Sequence, residues 1–205
     1  QIVNGEKYQS NFQYKSQKTV SVKATRGKIY DCNGKLLAYN KSSYSLSFTS
    51  NADLSEAAAK KDTTENELRN EIVYKTILIL EQNGDSLSVK LPIKLDSSGN
   101  MKFTISGAQL NTFYMNVFGA GSVDSLDEKQ KNATARDVFD YMKSDELFNV
   151  SDEYSDAYAL KILAVRYEVW LNRYQQYMTV DIANNISQQS YAAIMENKDT
   201  LLGMD

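Results

Sequence analysis

The 205-residue sequence contains no histidine, one cysteine and one proline. Without imidazole, every catalytic triad or dyad with a histidine base is excluded, and so is haem held by a histidine ligand. With Cys32 alone, the Cys and His sets of structural zinc sites cannot be assembled, and no internal disulfide can close. Carboxylate pairs, serine with lysine, oxygen-ligated hard metals and phosphate transfer stay open, and each needs its own positive motif. Long apolar runs are also missing: Ile77-Leu78-Ile79-Leu80 is the most apolar stretch, far short of the roughly 20 residues that span a bilayer. Gln1-Ile2-Val3-Asn4 lacks the charged, apolar and small-residue regions of a signal peptide. Nor is there a basic surplus. With 23 Lys plus Arg against 26 Asp plus Glu and the lysines scattered, the net charge of -3 predicts no nucleic-acid partner.

What is present suits a folded domain: 42% hydrophobic and 24% charged residues, in a chain long enough to bury a sizeable core. Thr19–Ala24 and Tyr44–Phe48 alternate with period two, and Ile29-Tyr30 and Leu36 to Tyr39 flank Asn33-Gly34, a pair whose tolerance of positive φ predicts a tight hairpin. From about Thr63 to Gln82 the period becomes helical, with Leu68, Ile72, Val73, Thr76, Ile77 and Leu80 on one side. Thr63 or Thr64 is placed to cap this helix and Asn83-Gly84 to stop it. Such an amphipathic helix is expected to pack on a sheet. Leu87 to Leu95 and Lys102 to Ile105 read as a strand pair joined through Asp96–Asn100, with Pro92 confining its strand to an edge or a bulge. Helices follow over Thr134–Phe148 and Ser151–Tyr177, the second with apolar residues on two sides, then a short strand near Met178–Ile182 and a helix from Ser187 to about Asn197.

The segment from Arg26 to Ala38 is the most informative. Gly27 permits a close backbone approach, Asp31 can accept bonds from turn amides, and Asn33-Gly34 reverses the chain. This segment resembles the pattern Arg-Gly-x-Ile-x-Asp-Arg-Asn-Gly-x-x-Leu-Ala of class B penicillin-binding proteins, matched at Arg26, Gly27, Ile29, Asp31, Asn33, Gly34, Leu37 and Ala38. Cys32 stands where the family usually has arginine, so a salt bridge made by that arginine is not carried over. A second likeness lies in Arg166-Tyr167-Glu168, Asn172-Arg173-Tyr174-Gln175, Val180-Asp181-Ile182-Ala183 and Ile194-Met195-Glu196-Asn197, in the order found at the end of that family's N-terminal dimerisation or pedestal domain. The resemblance covers about Tyr8 to Asp205, with a poorly matching middle from about Ser50 to Gly121.

The resemblance implies an α+β domain, elongated, with a small antiparallel sheet and packed helices. It implies one domain over 1–205 with two lobes, about 1–50 with 150–205 and about 51–150 as an insert. A transmembrane anchor and a transpeptidase domain would lie outside this chain. The family's Ser-x-x-Lys and Lys-Thr-Gly motifs are missing, and Ser98-Gly99-Asn100 matches Ser-x-Asn only inside a turn. The implied role is therefore a non-catalytic extracytoplasmic scaffold of a peptidoglycan D,D-transpeptidase, with no cofactor and no metal. Its partners would be that transpeptidase domain, a membrane-embedded glycan polymerase of the shape, elongation, division and sporulation family, and a second copy in a homodimer. Arg26, Gly27, Asp31, Asn33 and Gly34 are expected to fix the hairpin. Arg166 with Glu168 is expected to tie the long helix to it, because a charge among apolar neighbours needs a partner. Two other readings stay open: a stand-alone glycan- or protein-binding surface module, and a carboxylate-dependent glycan hydrolase. The acids Asp145, Glu146, Asp152, Glu153 and Asp156 read as helix capping and solvation rather than a calcium loop.

Overall fold

The computed structural model describes residues 27–39, 43–49, 54–174 and 179–205. The strand read over Thr19–Ala24 and the motif residue Arg26 fall outside these residues. The protein is α+β, and the chain divides into two compact units, Gln1–Ser42 and Ser43–Asp205.

In the first unit, β1 (Ile29–Tyr30) and β2 (Leu36–Ala38) form an antiparallel pair, with Ile29 opposite Ala38 and Tyr30 opposite Leu36. The loop between them departs from the expected two-residue turn: of Asn33-Gly34 only Gly34 takes positive φ, at 77°.

The second unit begins with β3 (Tyr44–Thr49), whose alternation turns Leu46 and Phe48 inward. Its antiparallel partner is β6 (Thr179–Ile186), eight residues long where a shorter strand is expected. On the other edge of β3 the last residues add main-chain bonds: Ser47 donates to Asp205 O, Asp205 to Ser47 O and Thr49 to Gly203 O. The third strand pair is β4 (Ile93–Leu95) with β5 (Met101–Phe103). It is shorter than the apolar pattern suggests because Pro92 has no N–H to extend it, although its carbonyl still accepts from Thr104.

Helix α1 is Ser55–Lys60 and α2 is Glu65–Gln82. Thr64 and Glu67 form the reciprocal capping box that starts α2: the Thr64 hydroxyl accepts from Glu67 N–H (3.2 Å), and the Glu67 carboxylate accepts from Thr64 N–H (2.9 Å). Asn83 caps its other end. Helices α3 (Ala108–Phe118), a 3₁₀ turn (Val123–Ser125), α4 (Glu128–Lys131) and α5 (Ala135–Lys143) follow. Then come α6 (Asp156–Leu171) and α7 (Gln188–Glu196).

Helix α6 is the centre of the unit, touching α2, α5, β4 and β6. Residues from Ile162 to Tyr167 are buried on successive sides, as apolar character on two sides requires of a helix held between layers. Helix α2 packs on α6 and α7, a helical environment rather than the sheet expected for it, and α7 in turn packs on β3. Edge-to-face rings connect β5, α3 and α6: Phe103 with Phe113 and Tyr114, and Phe113 with Tyr167. Each fully buried Leu, Ile or Phe of this core contributes about 1.5–3 kcal/mol.

Candidate functional site

The hairpin loop is organised by Asp31. Its Oδ1 accepts from the backbone N–H of Asn33 (2.9 Å) and Lys35 (2.7 Å), while Gly34 N–H donates to Asp31 O and Asp31 N–H to Lys35 O. Short Asx chemistry thus replaces turn propensity as the organising force. Gly27 has nothing within 4 Å of where a Cβ would sit. The strands leave their side chains open: Ile29, Tyr30, Leu36, Leu37 and Tyr39 are 40–63% exposed. Cys32 is exposed within the loop. A cluster of large apolar groups in contact with water costs solvation free energy.

Arg166 sits at the opposite extreme. It is 7% exposed, the one charged side chain among the buried described residues. Its Nη2 donates to Asn66 Oδ1 on α2 at 2.6 Å, and its guanidinium lies 5.2 Å from the Phe148 ring centroid. Nη1 has no hydrogen-bond partner among the described residues. Burial first, and then the nearby Arg69, lower its pKa to about 9, so the group remains protonated at neutral pH. The partner a buried cation requires is thus a neutral amide of α2. Glu168 is half-buried on the same helix, its carbonyl accepting from Asn172, and Glu196 is exposed at the end of α7. Neither forms an ion pair with a described residue.

One turn beyond Asn66, the buried Asn70 donates from Nδ2 to Phe148 O (2.9 Å) and Asn149 O (2.8 Å), holding Asn149 at a φ of 48°. Asp85 joins the end of α2 to the start of α7: its Oδ2 accepts from Ser187 N–H, Ser187 Oγ and Ser190 Oγ. None of these positions stands out in the sequence, because a lone Asn or Asp carries no periodicity and its partners come from elsewhere in the chain.

An apolar groove of about 550 Å³ runs between α2, α6 and the extended segment before β4, with Leu80, Leu87, Leu91 and Leu160 among its walls. Lys161 at its rim is paired with Glu81, whereas Lys90 and Lys94 form no ion pair with a described residue. Ser86 lines the groove, and no hydrogen bond joins it to a lysine among the described residues. Ser98 serves the β4–β5 loop, donating its N–H to Asp96. Of the acids weighed as a calcium loop, Asp152 pairs with Lys143 and Asp156 with Arg136. Among the described residues no group of three or more Asp, Glu or Cys is disposed to hold a metal ion.

No curated protein matches the sequence. The profile of the penicillin-binding protein dimerisation domain matches residues 21–205, from just before the hairpin motif to the strand-paired last residues. The chain therefore belongs to the penicillin-binding protein dimerisation domain family, a non-catalytic one.

Proposed function

We propose that this domain is the extracytoplasmic scaffold of a peptidoglycan D,D-transpeptidase, positioning the transpeptidase domain and contacting a membrane-embedded glycan polymerase. In this reading the membrane anchor and the transpeptidase belong to segments of a parent protein outside this sequence. No helix among the described residues is long and apolar enough to cross a membrane. The observation that carries the contact role is the open hairpin, where five large apolar side chains between Ile29 and Tyr39 are 40–63% exposed. The main-chain bonds of residues 203–205 to β3 support the positioning role, since a hydrogen-bonded edge fixes the direction in which the chain leaves. The family match gives no support to a stand-alone binding module.

The test uses the parent protein in its own membrane. A photo-crosslinker at position 37 is expected to capture the polymerase, and Leu37→Asp to reduce co-purification of the polymerase without lowering the melting temperature of the domain. Capture of a second copy instead would assign the hairpin to homodimerisation, and co-purification unchanged by Leu37→Asp would overturn the contact role. Labelling of this chain itself by a fluorescent penicillin would overturn the scaffold assignment.

A further inference from the structure

A cavity of about 150 Å³ opens between α2, α6 and β3, walled by Arg69, Arg166 and Arg173 together with Phe48, Phe148 and Trp170. Three guanidinium groups line it: Arg69 pairs with Glu65 at 3.5 Å, whereas Arg173 forms no ion pair with a described residue. Arg166 has no carboxylate partner among the described residues, and one of its nitrogens bonds nothing. Arg173 stacks on the Trp170 ring at 3.8 Å and donates to Trp170 O, which holds its planar fork in place. A buried, unpaired charge is among the costliest features a fold can retain, and placing a second cation beside it adds to the cost. A counter-charge arriving from outside the chain removes both penalties.

We infer that this cavity binds a compact oxyanion of the phosphate or carboxylate class. Guanidinium groups present paired donors that match two oxygens of such a group, and a low-dielectric wall of aromatic rings strengthens the attraction. The volume accommodates about five water molecules, which suits a single phosphate, sulfate or carboxylate and excludes a glycan chain. Arg173, half-buried at the rim, makes the direct contact. Arg166 supplies the field from behind, with Nη1 as the donor the fold leaves unused. The site lies wholly within the second unit and does not depend on the hairpin contacts.

Trp170 lines the cavity and is the only tryptophan in the chain, so its fluorescence reports this site alone. Titrating the 205-residue protein at constant ionic strength with inorganic phosphate, glycerol 3-phosphate or acetate is expected to give a saturable change in Trp170 emission that sodium chloride does not. Saturation by phosphate but not by its glycerol ester assigns the site to free anions, and saturation by both assigns it to an anion carried on a larger molecule. Arg173→Gln should weaken the response about tenfold or more. Arg166→Met should abolish it while raising the melting temperature in anion-free buffer, because a buried unpaired charge is removed. A pin whose only role is to bond Asn66 would lower that temperature instead. Absence of saturation, an equal response to chloride, or an unchanged response in Arg173→Gln would overturn the assignment.

Discussion

Asp31 and Asp96 occupy equivalent positions in two hairpins that share no sequence beyond Asp-x-x-Gly. In each, one carboxylate oxygen accepts two loop amides: Asn33 and Lys35 for Asp31, Ser98 and Asn100 for Asp96. In each, the glycine three residues on takes positive φ, 77° at Gly34 and 80° at Gly99. Asp96 uses its second oxygen to bind Lys102 at 2.9 Å. A single oxygen thus organises the loop, which leads to a discriminating prediction for Asp31. Asp31→Asn retains Oδ1 and should leave amide exchange at Asn33 and Lys35 unchanged, whereas Asp31→Ala should accelerate both; equal exchange in the two variants would show that the carboxylate is not the organiser. Asn70 is the buried counterpart. Asn70→Ala strands the carbonyls of Phe148 and Asn149, an expected loss of about 2–3 kcal/mol, read as a melting-temperature drop of roughly 5–10 °C. Asn70→Asp should fall further, because carboxylate oxygens would then face two carbonyls.

At the scale of elements, helix α2 shows what a local signal can establish. Its apolar period, its cap and its stop all lie within its own residues, and the capping box forms at Thr64 as the Thr-x-x-Glu spacing requires. Thr64→Ala should cost about 1 kcal/mol in a denaturant melt; no change would mean that Thr63, which also bonds Glu67 at 2.8 Å, can replace the cap. The same locality made the hairpin, β3 and α7 legible. Helix α3 was not, although Leu110, Phe113, Tyr114 and Val117 fall at helical spacing, because it runs from Gly107 to Gly119 with no side-chain cap to announce it. Strand β6 is longer than expected because pairing with Ser45 overrides the poor strand propensity of Asn184, and Asn185 is taken up as a bulge at a φ of 58° before Ile186 pairs with Tyr44. The candidate sites divide along the same line. Asp31 and its neighbours lie in one contiguous motif and could be read directly. The arginine cavity draws Arg69 from α2 and Arg166 and Arg173 from α6 and the turn after it, a meeting that only the packing of two helices creates.

The whole molecule adds these local devices into a pH dependence whose sign is fixed. Asp85 is pushed up by burial but pulled further down by the hydroxyls of Ser187 and Ser190 and the Ser187 amide, leaving its pKa lowered. Asp96 is held down at about 2 by Lys102 and loop amides, and Lys75, Thr134 and Lys143 lower Glu71, Asp137 and Asp152 respectively. A carboxylate whose folded pKa lies below its unfolded value stabilises the fold above that unfolded value, near 4, and the contribution is lost as pH falls through the folded pKa. The melting temperature should therefore be nearly flat from neutral pH to about 5 and fall between about 4 and 2. Asp85 is the most telling member, because its three accepted bonds join α2 to the start of α7. Asp85→Asn keeps one acceptor oxygen but no charge, so the variant should melt below wild type at pH 7 and converge on it as pH falls through the lowered folded pKa of Asp85, where its carboxylate takes up a proton. A melting difference that stays constant across that range would show that the carboxylate acts by shape alone, and would remove the electrostatic account of how these two helices are held together.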